Sequence, residues 1–121
     1  MAIGSIQRVE KPWGYELIWA KTKDYVGKIL HINKGHKLSL QYHNIKEETI
    51  FVSSGKMLFV FENQKGELEE ILMNAGEAHH IPPGKKHRMI GVEDCDIFEV
   101  STPHLDDIVR LEDTYGRTPA K

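Results

Sequence analysis

Short stretches of alternating apolar and polar residues, each closed by turn-forming residues, run through most of the chain and constrain its fold most strongly. A period of two is typical of strands that bury one face. Turn signals rich in Gly, Asn or Pro lie at 33–35, 53–55, 63–66, 74–76 and 82–85. Regular short strands of this kind predict an all-β sandwich or small barrel. The predicted strands are Tyr15–Ala20, Val26–Asn33, Lys37–His43, Thr49–Ser53, Met57–Glu62, Glu67–Met73, Ala78–Ile81, His87–Val92 and Asp96–Thr102.

The segment at about 104–115 has a different periodicity. Its apolar residues recur at helical spacing, two aspartates favour a helix N-terminus, and a glycine suits a helix stop. We therefore predict a short C-terminal helix at about 104–115 that covers an open edge or end of the barrel. The residues behind this prediction are Leu105, Asp106, Asp107, Ile108, Val109, Leu111 and Gly116.

The length and composition of the chain limit its organisation and its partners. At 121 residues it has a common size for one domain, so we predict a single domain over 1–121 with the barrel at about 12–103. A net charge of −2 provides no basic footprint for nucleic acid. No apolar run approaches the roughly 20 residues of a membrane span, and the N-terminal residues lack the apolar region of a signal peptide. Cys95 is the single cysteine, which suits a reducing cytosol. We expect a cytoplasmic protein without nucleic-acid or membrane partners.

The predicted strand Lys37–His43 carries polar residues on one face, which would ordinarily meet solvent. Gln41 and His43 share that face, Glu48 follows across a short turn, and His87 begins another strand after a Pro-Gly turn. Two neighbouring hairpins could thus bring together one amide oxygen, two imidazoles and one carboxylate. This donor set suits a divalent ion such as Zn, Fe, Mn or Ni. A neutral Gln ligand leaves more positive charge on the ion, and an open coordination position would serve as a Lewis acid.

Each of these residues alone indicates little, because a single strand histidine is more often exposed or hydrogen-bonded than a metal ligand. We expect His79 and His80, beside Pro82, to be exposed or hydrogen-bonded rather than metal ligands. The joint spacing, however, resembles the two motifs of the cupin family: a Gly, a His-x-His pair, a Glu and a Gly, then a Gly, a Pro-x-Gly and a His. The matching residues are Gly35, Gln41, His43, Glu48 and Gly55, then Gly76, Pro82, Gly84 and His87, so that Gln41 replaces the first His.

A narrower resemblance covers roughly residues 8 to 117. The stretches KPWGYE, LSLQYH, IPPGKKHR and DDIVRLEDTYGR are similar to the C-terminal cupin domain of bifunctional mannose-6-phosphate isomerase/mannose-1-phosphate guanylyltransferases, the type II phosphomannose isomerases. Gln in place of His also marks the Zn-dependent phosphomannose isomerases of the other type. The resemblance implies a double-stranded β-helix, a jelly-roll barrel, with Gln41, His43, Glu48 and His87 as ligands. It favours Zn, with Fe, Mn, Ni or Co as alternatives.

The chain departs from these relatives at two places that would border the pocket mouth. HNIKEE (43–48) stands where they usually carry a His- and Arg-rich run, and STPHLDD (101–107) replaces a longer Gly-Ser-Tyr-Leu segment. The sequence therefore predicts the substrate less firmly than it predicts the fold. The sequence offers no Gly-rich nucleotide-binding loop, so guanylyl transfer by this chain is not expected.

The resemblance implies a metal-dependent aldose–ketose isomerase that acts on a sugar phosphate, with mannose 6-phosphate to fructose 6-phosphate favoured. Two alternatives stay open: a non-catalytic module that binds a sugar or sugar phosphate, and another metal-dependent cupin enzyme such as an oxygenase, against which Gln41 argues. A small sugar phosphate is the expected partner. The resemblance also implies a homodimer, with Trp13 or Trp19 at the interface.

Isomerisation further requires an acid or base, a group that stabilises the enediolate, and a phosphate clamp. The candidate catalytic residues are Arg110, Lys37 and Glu99, and Lys37, Lys28 and Arg117 are candidates for substrate binding. Lys37 shares the strand face of Gln41, whereas Glu99 would be a buried carboxylate if its strand face is interior.

Simpler interpretations stand beside these assignments. The two lysines could be solvated, and Arg110 could pair with Asp106 or Asp107 at helical spacing. Trp13 and Tyr15 are expected to pack in the core or at an interface rather than to take part in chemistry.

Overall fold

Two antiparallel sheets make up the described part of the chain, residues 6–117 of a computed structural model. The eleven strands of this part are β1 (Gln7–Lys11), β2 (Gly14–Lys21), β3 (Val26–Ile32), β4 (Leu40–Tyr42), β5 (Glu48–Ser54), β6 (Lys56–Glu62), β7 (Leu68–Asn74), β8 (Ala78–Ile81), β9 (His87–Gly91), β10 (Cys95–Ser101) and β11 (Val109–Glu112). Sheet A has the order β1-β2-β3-β10-β5-β8, and sheet B the order β11-β4-β9-β6-β7. The predicted all-β, double-stranded β-helix is confirmed.

Alternation along each strand decides which side chains enter the space between the sheets. On β10, Ile97 and Glu99 are buried, whereas Phe98 and Val100 are about half exposed on the opposite face. The apolar core therefore comes from both inner faces, while polar inner residues collect at one end of the barrel. The buried apolar cluster consists of Trp13, Leu30, Ile32, Leu38, Ile50, Val52, Met57, Phe59, Met73, Ile81, Met89, Cys95 and Ile97.

The predicted C-terminal helix is wrong. Residues 109–112 form β11, which pairs antiparallel with β4, and the described residues contain no helix, hence none that could span a membrane. The helical spacing of apolar residues has another cause: Leu105 and Ile108 face a cavity, and Leu111 is exposed. Pairing with β4 satisfies backbone groups that an edge strand would leave open. The segment does cover an edge, as predicted, but it does so as a strand.

The predicted strand Lys37–His43 is shorter in the structure and interrupted. Gln41 pairs with His87, whereas Lys37 forms an isolated bridge to Ile90, which is one residue out of register with the first pair. A slip of one residue moves a side chain to the other face of a sheet. The side chain of Lys37 therefore lies on the face of the sheet opposite to that of Gln41. The first strand, β1, lies against β2 and was not predicted.

Gly55 sits in the turn between β5 and β6, and its replacement tests how closely this turn packs. Gly55 and Gly35 have φ values of 80° and 81°, where an alanine costs roughly 1–2 kcal/mol. A Cβ at Gly55 would overlap the carbonyl oxygen of Asp94 and lie 2.8 Å from the Cβ of Cys95, whereas a Cβ at Gly35 would meet nothing within 4 Å. Gly55→Ala should therefore lower the free energy of unfolding in urea by clearly more than Gly35→Ala. Equal losses would contradict this packing.

Candidate metal centre

A cavity of about 230 Å³ lies between the inner faces of the two sheets. Three neighbouring strands of sheet B place Arg110, Gln41 and His87 side by side, because Gln41 is the cross-strand partner of both other residues. Sheet A contributes Glu48 at the start of β5, and His43 follows the end of β4. His87 is not among the residues that line this cavity and borders a second one of about 260 Å³, which Phe59 and Phe61 also line.

His43, Glu48 and His87 form a buried cluster whose donor atoms lie within 4.8 Å of one another. His43 Nδ1 is 2.6 Å from the carbonyl oxygen of Asp107, and His87 Nδ1 is 2.9 Å from that of Lys85. A carbonyl oxygen can only accept, so each Nδ1 carries a hydrogen, and each Nε2 presents a lone pair when its imidazole is neutral. Among the described residues, neither Nε2 atom has a hydrogen-bond partner, and Glu48 Oε2 lies 3.1 Å from the ammonium of Lys46.

The two Nε2 atoms and Glu48 Oε2 face one another, and the Lys46 ammonium offsets the charge of the carboxylate while both Nε2 atoms stay without a donor. His43 Nε2 is 3.2 Å from Glu48 Oε2, which is close for a lone pair facing a carboxylate oxygen. A backbone hydrogen bond to the distal nitrogen is the usual arrangement that orients a metal-bound histidine. The cluster therefore fits a divalent cation, and two imidazoles with one carboxylate are ordinary ligands of such ions.

The protonation states of the cluster also favour a cation. Burial lowers the pKa of His87, so its imidazole stays neutral near neutral pH and its Nε2 remains free to coordinate. Burial alone would raise the pKa of Glu48, but His43 and Lys46 outweigh it and lower that pKa to about 2. The result is one anionic ligand and one neutral imidazole at His87 over the physiological range.

Gln41 lines the same cavity as His43 and Glu48, and Ser39 fixes its orientation. Ser39 Oγ donates a hydrogen bond of 3.0 Å to Gln41 Oε1, which leaves the second lone pair of that oxygen free. The structure thus brings all four predicted ligand residues to one place, three of them with atoms directed at a common point.

Lys46 is a functional candidate that the sequence did not reveal. Its Nζ lies 3.1 Å from a carboxylate oxygen of Glu48 and 3.1 Å from one of Glu99, and all three side chains are buried. Burial would lower the pKa of Lys46, but the two carboxylates raise it above its ordinary value, so the ammonium stays charged. Burial raises the pKa of Glu99, and the charge of Glu48 raises it further. Lys46 sits in a loop, where no strand alternation signals that a residue points inward.

Asp107 holds the loop that carries His43 and Lys46. Its carboxylate accepts backbone N–H bonds from Asn44, Ile45 and Lys46 at 2.7 to 3.0 Å, while its carbonyl oxygen accepts from His43. The three N–H donors lower the pKa of Asp107 to about 2. The paired aspartates, predicted to begin a helix, thus include the residue that positions two members of the site.

Four cations lie around the rest of the cavity: Lys11, Lys28, Arg110 and Arg117. Lys28 Nζ is 3.4 Å from Glu16, and Arg117 Nε is 2.8 Å from Asp113. Among the residues described, Arg110 Nε is buried without a hydrogen-bond partner. Burial and the nearby charge of Arg117 lower the pKa of Arg110. A cationic group of this kind suits an anionic ligand.

Of the other predicted site residues, all but one lie at the cavity. Glu99, Lys28, Arg110 and Arg117 line the cavity, whereas Lys37 is not among its lining residues. Arg110 is not in a helix with the two aspartates, so the predicted helical pairing does not arise. Trp13 is buried in the core, while Trp19 is 48% exposed on the outer side of sheet A.

A jelly-roll of two antiparallel sheets with a buried His-Glu-His cluster is the architecture of a cupin with a possible metal site. The chain belongs to the family described as Mannose-6-phosphate isomerase C-terminal, which matches residues 2–113. Solved structures of similar fold include KdgF from Halomonas sp., with a TM-score of 0.72 and 20% identity over 85% of this chain and 91% of that protein. Oxalate decarboxylase from Bacillus subtilis has a TM-score of 0.76 and 15% identity over 94% of this chain and 32% of that protein. At these identities the likeness shows the fold alone.

Curated relatives are longer proteins that resemble this chain over part of their length. The xanthan biosynthesis protein XanB of Xanthomonas campestris is 36% identical over 118 residues, 93% of this chain and 24% of XanB. The alginate biosynthesis protein AlgA of Pseudomonas aeruginosa is 32% identical over 91% of this chain and 23% of AlgA. Mannose-1-phosphate guanylyltransferase ManC of Salmonella typhimurium is 34% identical over 92% of this chain and 23% of ManC. The chain therefore spans about a quarter of the length of these relatives.

Removing one imidazole should remove the metal. We expect the purified protein to contain about one divalent ion per chain, and His87→Ala to contain far less, because the remaining donors are one imidazole, one carboxylate and a weakly binding amide oxygen. Gln41→His should retain the ion, since imidazole is the stronger ligand. His80→Ala, which changes an exposed imidazole, is the matched control. Equal metal content by mass spectrometry in His87→Ala and the unmodified protein would disprove the ligand assignment.

Asp107 should make stability depend on pH in the acid range. A carboxylate with a lowered pKa stabilises the folded state above its ordinary pKa of about 3.9, and this stabilisation is lost as the pH falls towards about 2. Asp107→Asn replaces one accepting oxygen by a donor, so it should lower the melting temperature at pH 7 and flatten its decline below about pH 4. Asp106→Asn, at an exposed neighbour, should keep the full decline. An unchanged profile for Asp107→Asn would contradict the role of this carboxylate.

Proposed function

We propose that this domain is a metal-dependent aldose–ketose isomerase of a sugar phosphate, with mannose 6-phosphate and fructose 6-phosphate as the favoured pair. The observation that carries the proposal is that one cavity is lined both by His43 and Glu48, two members of the buried cluster fit for a divalent ion, and by a group of four cations. The family, described as Mannose-6-phosphate isomerase C-terminal, and the relative ManC, a mannose-1-phosphate guanylyltransferase, support this choice of sugar. A cytoplasmic location, which suits the free thiol of Cys95, belongs to the same proposal.

The metal would be held by His43, Glu48, His87 and Gln41, with Zn favoured over Fe, Mn, Ni or Co. When bound there, a divalent ion supplies Lewis-acid polarisation of the carbonyl and hydroxyl oxygens at C1 and C2 of the sugar. Isomerisation moves one proton between those carbons and develops negative charge on their oxygens. The remaining groups of the cavity therefore have to stabilise that charge, transfer the proton and hold the phosphate.

Lys46 and Glu99 are placed for the first two tasks. The Lys46 ammonium is held charged between two carboxylates and can donate a hydrogen bond to a developing enediolate oxygen. Glu99 is buried, and its raised pKa brings it nearer to the range in which a carboxyl group exchanges protons at neutral pH. We assign Glu99 as the acid/base and Lys46 as the group that stabilises the enediolate.

Arg110, Lys28 and Arg117 are assigned to the substrate anion. The Arg110 guanidinium can bind a phosphate or an enediolate oxygen by paired hydrogen bonds, which a lysine ammonium cannot reproduce. Lys28 and Arg117 already have carboxylate partners, so they add positive potential beside Arg110 rather than free donors. Lys37 has no part in this scheme because it does not line the cavity.

A coupled assay on mannose 6-phosphate tests the proposal directly. The metal-loaded protein should form fructose 6-phosphate, lose activity with a chelator and regain it with Zn. Gln41→His should keep its metal but change the turnover, because an imidazole alters the charge that the ion presents. Metal-dependent binding of the sugar phosphate without turnover would replace the isomerase by a binding module. Dioxygen consumption without isomerisation would favour an oxygenase.

Arg110 should contribute to the specificity constant through its guanidinium. Charge-assisted hydrogen bonds are worth about 1.5–3 kcal/mol, so Arg110→Lys should lower kcat/KM by roughly 10- to 100-fold. Lys37→Ala is the matched control, since it removes a cation from the outside of the same sheet. A normal kcat/KM in Arg110→Lys, or a comparable loss in Lys37→Ala, would contradict the assignment.

A further inference from the structure

The second cavity, of about 260 Å³, takes no part in the proposed isomerisation. It lies between β6 and β8, which are placed towards the opposite edges of the two sheets from the strands β1–β4 and β11 that line much of the first cavity. His87 borders it and is thus the link between the second cavity and the candidate metal centre. Its lining includes Phe59, Phe61, His79, Ile81, Lys85 and Lys86.

Aromatic rings form one wall of the second cavity. The centroid of the His79 ring is 4.9 Å from those of Phe59 and Phe61. The His87 ring lies 6.3 Å from Phe59, and Ile81 adds an aliphatic contact surface. Aromatic groups pack favourably against such rings, by offset or edge-to-face contacts. A sugar phosphate is polar on all sides, so this wall suits a different occupant from that of the first cavity.

The volume of the second cavity limits the size of that occupant. Protein interiors contain few voids larger than a water molecule, and water finds few hydrogen-bond partners against an apolar wall. An apolar cavity of about 150 Å³ is sufficient for benzene. The second cavity, at about 260 Å³, therefore accommodates one aromatic ring with a short side arm.

Two lysines at the exposed rim of the second cavity determine the charge that it favours. Lys85 and Lys86 both line it, and among residues 6–117 neither ammonium has a carboxylate oxygen within 4.0 Å. Glu62, on the same rim, accepts the backbone N–H of Lys86 at 3.1 Å, and His80 is paired with Glu47. The rim therefore offers two ammonium groups to an anion, and a carboxylate is a strong acceptor for such donors.

We propose that the second cavity binds a small aromatic carboxylate. The ring of this ligand packs against Phe61 and His79, and its carboxylate accepts hydrogen bonds from Lys85 and Lys86. The site uses none of the groups assigned to the sugar phosphate, so it is independent of the proposed isomerase activity.

The loop between β8 and β9 joins the second cavity to the candidate metal centre. The Gly84 N–H donates to the carbonyl oxygen of His43 at 2.6 Å, and the carbonyl oxygen of Lys85 accepts from His87 Nδ1 at 2.9 Å. Pro82 and Lys85 of the same loop line the cavity. An occupant that holds this loop in place therefore also holds both histidines, and ordering by one ligand lowers the cost of binding another. Zn and the aromatic carboxylate should thus strengthen each other's binding.

Titration of the Zn-loaded protein with phenylacetate, followed by backbone amide NMR spectra, tests the site. Binding should saturate with a dissociation constant of about 1 mM or less. The shifts should cluster at Phe61, His79 and Lys85, while Leu105 and Arg110 at the first cavity stay unchanged. Acetate, which lacks the ring, and phenylacetamide, which lacks the charge, should each bind at least about threefold more weakly.

Substitutions at the rim and the wall test the two parts of the site separately. Lys85→Gln combined with Lys86→Gln should raise the dissociation constant of phenylacetate at least about threefold. Lys56→Gln, at an exposed lysine on the other end of β6, is the matched control and should leave it unchanged. Phe61→Ala should also weaken binding, and if melting curves show that this variant does not fold, the lysine variant still provides the test.

Unsaturable binding, shifts confined to the first cavity, or full affinity in the combined lysine variant would overturn the proposal. Removing Zn with a chelator should weaken the binding of phenylacetate by about fivefold or more, and equal affinity would contradict the link to the metal centre. Isomerase activity is measured on the same samples. Phenylacetate binding by an inactive protein would keep this site and reject the proposed function, whereas an active protein that does not bind phenylacetate would reject this site alone.

Discussion

Three buried electron-pair donors, the Nε2 atoms of His43 and His87 and Oε2 of Glu48, converge on one point, and the rest of the site depends on this convergence. Burying polar atoms without partners is costly, so such a cluster persists only where something compensates it. The Lys46 ammonium offsets the charge of Glu48, and a divalent cation would accept electron pairs from all three atoms at once. The two sheets make the meeting possible, since Glu48 begins a strand of one sheet and His87 begins a strand of the other.

The convergence is maintained by groups that would not touch the ion. Asp107 accepts from His43 through its backbone oxygen and fastens the following loop through its carboxylate. That loop carries Lys46 into contact with Glu48 and Glu99. The C-terminal segment thus sets both the orientation of a ligand and the position of the buried ammonium. Supporting contacts of this kind are as much part of a metal site as the ligands.

Much of this could be predicted, because strand alternation and turn residues are local signals. The strands and the shared face of Ile97 and Glu99 follow from a period of two, whereas the ligand set that includes His43 and His87 was implied by the resemblance to the cupin motifs. The failures have non-local causes. Residues 109–112 pair with a distant edge strand rather than forming a helix, Lys37 lies beyond a one-residue register slip, and Lys46 is drawn inwards by carboxylates from two other strands.

The central claim is that His43, His87 and Glu48 coordinate a divalent ion through the atoms that face one another. Anomalous diffraction from crystals of the Zn-loaded protein tests it most directly. The account predicts one strong peak at about 2.0–2.2 Å from Nε2 of both histidines and from an oxygen of Glu48. A peak elsewhere, coordination through Nδ1, or an empty cluster in protein that binds Zn at another place would contradict it.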